Sequence, residues 1–277
     1  MDYLDQLEAE SIYIFREAWN RMNRLAMLWS FGKDSNVMIW LARKAFLGRI
    51  PFPLIHCDTE LEMPEVYAFR DRYEKEWGID LIRQPCPPLE ETDASLPHAA
   101  RVAARKTLGL KAAQAQHGFH GLITGIRRDE EATRAKERVF SPRDDQGQWD
   151  VKDQPPEFWN QFKTEFAPGT HVRIHPLLAW TELDVWRYIE REEIPVVPLY
   201  FARPYHELEG RAFGGKLMRF RSIGERGITW PLESSAKSLS EIIAELEATS
   251  VPERSGRPMG ADEDESSFER LREAGYM

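Results

Sequence analysis

The chain has 277 residues, 37 Lys and Arg against 46 Asp and Glu, and a formal net charge of −9. With 42% hydrophobic and 30% charged residues it has the balance of a globular protein, which excludes long disorder. No run approaches the ~18 apolar residues of a membrane span, and the acidic balance weighs against general nucleic-acid affinity.

Only Cys57 and Cys86 occur. That excludes an all-cysteine zinc site or iron–sulfur cluster built from this chain alone, and a disulfide framework. The acidic N-terminus has neither the basic region nor the apolar run of a secretory signal, so the cytoplasm is the expected compartment.

Residues 5–24 carry Leu7, Ile12, Ile14, Phe15 and Trp19 near helical spacing and predict an amphipathic helix. The apolar run 25–29 predicts a buried strand, followed by Ser30-Phe31-Gly32-Lys33-Asp34-Ser35 and a helix over 36–46. Residues 51–57 predict a second strand that ends at Asp58-Thr59; a helix over 64–77 and a third strand over 80–82 follow. After a turn with Pro85, Pro87 and Pro88 come a helix over 99–117 and a fourth strand over 122–125. Residues 141–170 are broken by Pro and Gly and predict an irregular segment ordered by Trp149, Phe158, Trp159 and Phe162. Residues 173–177 predict a fifth strand. A helix over 181–192 has Thr181 as N-cap and Asp184 at the capping-box spacing. Beyond about 203, Gly210, Gly214 and Gly215 precede a basic run with Arg219 and Arg221, then a helix over 239–247 and a charged tail.

Strands alternating with helices imply right-handed crossovers and a parallel sheet, whose ligands bind beyond the carboxyl ends of the strands. The expected fold class is α/β. A twisted parallel sheet with helices on both faces spans 1–200, and a C-terminal helical appendage without a core of its own spans 201–277. Three strand ends carry polar groups: the Ser30 loop, Asp58-Thr59, and the Gly125-Ile126-Arg127-Arg128 stretch.

The Ser30–Ser35 loop has the logic of an anion site. Unpaired N–H groups at a helix start, aided by the dipole, point at a phosphate. Gly32 permits a tight turn and close approach, Ser30 and Ser35 can donate, and Lys33 neutralises charge. Asp34 suits a loop cap or a metal that bridges phosphates. The spacing is not that of the Gly-Lys-Ser/Thr P-loop. Asp58 suits a ribose hydroxyl or a phosphate-bound magnesium, or a helix cap. Arg127, Arg128, Arg134, Lys136, Arg138 and Arg143 form a basic cluster nearly balanced by Asp129, Glu130, Glu131 and Glu137. It can be an oxyanion clamp or a salt-bridged surface. Cys57 reads as a small hydrophobe within a strand, and Cys86 as a thiol able to carry a persulfide. The seven histidines show no metal-ligand spacing.

The strand–Ser-x-Gly-x-Asp-Ser–helix element resembles that of the PP-loop ATP pyrophosphatases, which cleave ATP between the α and β phosphates. Ser30-Phe31-Gly32-Lys33-Asp34-Ser35, Leu41 to Phe46 and Pro51 to Leu54 are similar to the family of small, nucleotide-binding subunits of bacterial sulfate adenylyltransferase, allied to the PAPS reductases. So are Phe69 to Arg72, Arg127 to Glu131, Arg134 to Arg138, Trp180 to Trp186, Val196 to Tyr200 and Gly275-Tyr276, so the likeness runs the length of the chain.

The resemblance implies ATP and Mg2+ as ligands and adenylyl transfer to sulfate, giving adenosine 5′-phosphosulfate. It implies a catalytic set of Lys33, Asp34, Arg127 and Arg128. The nucleotide-binding set is Ser30, Phe31, Gly32, Lys33, Asp34, Ser35, Asp58 and Gly125, with no further metal ligands assigned. The implied partner is a GTPase subunit, contacted through 201–277. The chain departs from the family at Glu60-Leu61-Glu62-Met63, where Gly and an aromatic are usual, and by a shorter 201–218 segment. These departures keep open an alternative acceptor, a nucleic-acid oxygen activated for sulfur insertion with a cysteine desulfurase partner.

Overall fold

The computed structural model describes residues 2–130, 132–144, 147–150, 152–159, 161–249 and 253. The charged tail and Gly275-Tyr276 lie outside them. Helix α1 (Tyr3–Arg21) starts from a capping box in which Asp2 and Asp5 exchange backbone hydrogen bonds, and it buries Leu7, Ser11, Ile14, Phe15 and Ala18 along one face. Ser11 Oγ donates to the Pro176 carbonyl at 2.8 Å and accepts from Trp180 Nε1 at 3.0 Å, which ties α1 to the 176–180 segment.

Strand β1 (Leu25–Leu28) leads into α2 (Lys33–Ala45), then β2 (Leu54–Asp58), α3 (Pro64–Glu76), β3 (Leu81–Pro85), α4 (His98–His117) and β4 (Gly121–Ile123). β5 (Phe140–Arg143) and β6 (His171–Ile174) complete a six-stranded sheet of order β3-β2-β1-β4-β6-β5. All neighbours are parallel except β5, which runs antiparallel to β6. The chain builds outward from β1 through β2 to β3, then reverses through β4, so the topological switch point lies between β1 and β4. Sheets of this kind hold ligands at that point.

β5 lies at the start of the stretch expected to be irregular. Pro142 lacks a donor, which only an edge strand tolerates, and β5 is that edge. Further along the stretch, the Glu157 carboxylate accepts from the Val139 and Phe140 N–H groups at 3.0 Å each and so ties Glu157 to the start of β5.

Helix α5 (Glu182–Arg191) has the expected cap: Thr181 and Asp184 exchange backbone hydrogen bonds. The following segment holds a second, antiparallel sheet that the sequence expectation left out: β7 (Arg203–Leu208), β8 (Arg211–Arg219) and β9 (Leu232–Glu233). Its glycines shape a hairpin. Glu209 and Gly210 take φ of 48° and 75° at the β7–β8 turn, the left-handed pair such a turn needs.

Helix α6 (Leu239–Glu247) then packs against α5. Arg219 reaches Glu245 at 2.9 Å and Arg221 reaches Glu182 at 2.7 Å, so both arginines hold elements together. Tyr205, Met218, Phe220, Ile242 and Ile243 join the same core as Trp29, Val37 and Trp186. No helix among the described residues is long and apolar enough to cross a membrane.

Candidate active site

The turn after β1 is made by Phe31, not by Gly32. Phe31 takes φ of 64°, while Gly32 is the N-cap of α2 at φ −69°. The Phe31 ring is buried, with its centroid 4.6 Å from those of Trp29 and His56, and that packing holds the left-handed residue in place. A Cβ on Gly32 would meet Ser30 Oγ and Tyr200 Oη at an ordinary 3.5 Å. The protein interior therefore leaves room at Gly32; what it keeps clear is the approach to the helix head.

Helix α2 begins three residues earlier than expected, so Lys33, Asp34 and Ser35 form its first turn. The first intrahelical bond runs from Asn36 N–H to the Gly32 carbonyl at 3.1 Å. The N–H groups of Lys33, Asp34 and Ser35 precede it and have no intrahelical acceptor. That of Lys33 donates to Tyr200 Oη at 2.9 Å. Ser35 Oγ donates to the Gly32 carbonyl at 2.9 Å and accepts from the exposed Ser30 at 3.3 Å.

Across the switch point, β4 runs into Thr124-Gly125-Ile126-Arg127. A Cβ on Gly125 would lie 3.3 Å from both Asp34 Cβ and Met38 Cε, so glycine here lets the β4 end close onto the first turns of α2. That approach brings Arg127 to Lys33. Both side chains are buried, at 0% and 1% exposure. Arg127 contacts the Asp34 carboxylate, Asp129 at 3.0 Å and Glu253 at 2.6 Å. Lys33 Nζ contacts Asp34 at 3.2 Å and Glu253 at 2.6 Å. Asp129 is itself fixed by the Glu182 N–H at the head of α5, 2.7 Å away. Burial opposes the Arg127 charge, but the carboxylates of Glu253, Glu130 and Asp129 outweigh it and raise its pKa further. Burial also opposes ionisation of Glu253, yet Lys33 and Arg127 pull its pKa down to about 2.

The end of β2 forms the adjoining wall. Asp58 accepts from the Glu60 N–H at 2.9 Å, Tyr67 Oη at 2.8 Å and Arg70 at 3.0 Å, so its carboxylate acts here as a turn and helix anchor. His56 is buried without a hydrogen-bond partner among the described residues, and burial lowers its pKa to about 3. The hydroxyls of Thr59 and Thr124 are likewise buried and unpartnered. Unmade hydrogen bonds in the interior are costly, and these lie at the carboxyl ends of β2 and β4, on either side of β1, where polar groups of a ligand could meet them. Lys106 bridges Glu62 at 3.1 Å and Glu225 at 3.0 Å, closing this wall from α4.

The two thiols are neighbours. Cys86 shares a hydrogen bond with Cys57, which draws the Cys57 thiol below its ordinary pKa and, together with burial, pushes Cys86 far above it. The thiol expected to be the reactive one is therefore the less acidic of the pair.

The basic cluster separates. Arg127 enters the site, while the neighbouring Arg128 is exposed and turned to Glu10 and Glu157. Arg134 pairs with Glu130, Arg143 with Glu137 at 3.0 Å, and Arg138 donates to the Pro155 carbonyl at 3.2 Å. These three are held by protein groups, and Lys33 and Arg127 are the two cations buried at the strand ends. Sequence reasoning gave no role to Tyr200, Asp129, His56 or Glu253. Tyr200 lies 167 residues from its partner and Glu253 lies 220 from its own, distances no local pattern spans.

Among the described residues no three His, Cys, Asp or Glu side chains form a metal cage. A cation held mainly by phosphates needs only one protein carboxylate, and Asp34, part-exposed at the head of α2, has the chemistry for it.

The phosphoadenosine phosphosulfate reductase domain profile matches residues 24–231. The chain is 44% identical to the sulfate adenylyltransferase subunit 2 of Rhodospirillum rubrum, with 100% of both chains covered. It is 42% identical to that of Stutzerimonas stutzeri, over 100% of this chain and 99% of the relative. Among solved structures, the ATP complex of Candida glabrata FMN adenylyltransferase superposes with a TM-score of 0.54 at 15% identity, covering 97% of this chain and 80% of the other. That last likeness concerns the fold alone.

Proposed function

The chain belongs to the phosphoadenosine phosphosulfate reductase domain family, and from that premise we propose that it is an ATP-cleaving adenylyltransferase acting on sulfate. ATP lies with its phosphates at the head of α2, and the unpaired N–H groups of the first turn receive them. An oxygen of sulfate attacks the α-phosphorus. A new phosphorus–oxygen bond forms, the α–β bridge breaks, and its electron pair leaves with pyrophosphate. The products are adenosine 5′-phosphosulfate and pyrophosphate.

Lys33 and Arg127 neutralise the charge that gathers on the leaving group. In a dry, preorganised setting such neutralisation is the main source of rate. Asp34 is the group to hold Mg2+ against the phosphates, where the cation would supply further charge neutralisation. Tyr200 keeps the helix head in register. The observation that carries this reading is the convergence of two fully buried cations, Lys33 and Arg127, on the carboxyl ends of β1 and β4 at the switch point.

The name subunit 2 carried by the relatives fits assembly with a subunit 1. Because the sulfate–phosphate anhydride is strongly uphill, that partner is a GTP-hydrolysing subunit, contacted through 201–277. The setting is the cytoplasm, where two free thiols persist. The alternative acceptor, a nucleic-acid oxygen with sulfur delivered through Cys86, is disfavoured by the full-length likeness to sulfate adenylyltransferase subunits. The test is chromatography of labelled ATP products with and without sulfate, with the partner subunit present. AMP-containing products and pyrophosphate are expected, and ADP with phosphate would contradict the reading.

A further inference from the structure

Glu253 occupies the place that an oxyanion is expected to take. Its two carboxylate oxygens divide between the two buried cations, Oε1 on Lys33 Nζ and Oε2 on Arg127, each at 2.6 Å. Two oxygens on one centre, facing two fixed cations, present the same chemistry as an edge of a sulfate or phosphate group. The charge count points the same way. Lys33 and Arg127 are balanced by Asp34 and Asp129, so Glu253 leaves the cluster one charge negative. A phosphate or sulfate arriving with Glu253 still in place would add anion to anion in a site screened from water. Removing Glu253 restores neutrality and frees the inner faces of both cations.

We infer that Glu253 is an intramolecular competitor for the oxyanion subsite of Lys33 and Arg127, seated there in the empty enzyme and displaced by the phosphate or sulfate group of the substrate. The inference rests on the anion-site reading above. It gives the inner donors of both buried cations an acceptor between turnovers, since a buried donor left without one is costly. It also makes the apparent affinity weaker than the intrinsic one by the fraction of molecules in which the subsite is vacant.

The experiment is calorimetry of inorganic pyrophosphate, inorganic sulfate and Mg-ATP, each titrated into full-length wild type, Glu253→Gln and Glu253→Asp. Glu253→Gln should bind at least one of these anions about tenfold more tightly than wild type, as a neutral amide competes poorly with a dianion. The arm that tightens identifies the group that seats there: pyrophosphate and ATP together for a phosphate, sulfate alone for the acceptor. Glu253→Asp, one methylene too short to span both cations, should lie between. If wild type binds none of the three, the site reading and this inference fall together. If wild type binds and Glu253→Gln binds equally or more weakly, only the inference falls. A second measurement on wild type covers a variant that fails to fold: labelling of the Glu253 carboxyl by a water-soluble carbodiimide should increase severalfold when the tightest of the three anions is added. Unchanged labelling would overturn the displacement.

Discussion

The hydroxyl of Tyr200 accepts a hydrogen bond, 2.9 Å long, from the backbone N–H of Lys33. The bond joins the short 3₁₀ turn Pro198–Tyr200 to the first turn of α2, and the Tyr200 ring is set by Trp186, edge-on at 5.1 Å. Burial and its surroundings hold the phenol pKa up, at about 12, so it remains a neutral acceptor at any working pH. Tyr200→Phe keeps the ring and removes the acceptor from a buried N–H. It should lower stability by about 1–3 kcal/mol and raise the Michaelis constant for ATP through a looser helix head. Thermal melting and steady-state kinetics check this; an unchanged melting temperature would show that the bond contributes nothing.

Arg127 and Arg128 should behave oppositely although adjacent. Arg127→Lys retains a positive charge among Asp34, Asp129 and Glu253 but loses the planar fork that touches all three. Turnover should fall by roughly tenfold or more, because leaving-group charge is then less well met. Arg128→Ala removes an exposed side chain and should stay within about twofold of wild type. Equal losses in the two variants would contradict the placement of the clamp.

That pair also shows where sequence reading stopped. The Ser30–Ser35 loop, the β4 end at Gly125 and the Thr181–Asp184 cap were legible because each is written in consecutive residues with a local physical reason. Which of two neighbouring arginines turns inward depends on how β4 closes onto α2, and no local pattern states it. β5 was hidden by Pro142, which reads as a breaker until the strand is known to be an edge. The β7–β8 hairpin was hidden by Gly210, Gly214 and Gly215, which read as loop when they in fact supply the left-handed residues of a turn and an irregular strand. Phe31 at φ 64° owes its conformation to Trp29 and His56, and the tight turn was therefore assigned to the glycine beside it.

The cysteines should be dispensable. Sulfate brings its own nucleophilic oxygen, and the Cys86 thiol is held protonated by Cys57 and by burial. Cys86→Ser and Cys57→Ala should leave sulfate-dependent turnover nearly unchanged, with a loss of stability of about 1 kcal/mol for the small cavity. Turnover that persists without sulfate and vanishes in Cys86→Ser would instead support sulfur transfer.

Stability should fall as the solution is acidified below neutrality. Burial lowers the pKa of His175 to about 4, with Glu137 opposing and Arg143 and Arg173 assisting, and burial likewise lowers His56 to about 3. The unfolded chain has ordinary histidines near pKa 6.5, so between about 4 and 6.5 it binds more protons than the folded chain. The folded state is thus progressively disfavoured as pH drops through that window, His175 alone accounting for on the order of 3 kcal/mol. Urea midpoints at pH 7.5 and 5.0 measure the effect, and His175→Gln should flatten the dependence. A wild-type midpoint that does not fall with pH would refute the neutral, buried state of both rings.

On the function proposed above, Lys33 and Arg127 stabilise pyrophosphate leaving from ATP as sulfate takes the adenylyl group. The most direct test is a single assay of pyrophosphate release from Mg-ATP, with the subunit 1 partner present, run with and without sulfate for wild type and Arg127→Lys. Sulfate-dependent release of pyrophosphate, matched mole for mole by adenosine 5′-phosphosulfate, is expected, with a loss of roughly tenfold or more in the variant. Release of ADP and phosphate, or pyrophosphate release indifferent both to sulfate and to Arg127, would contradict it.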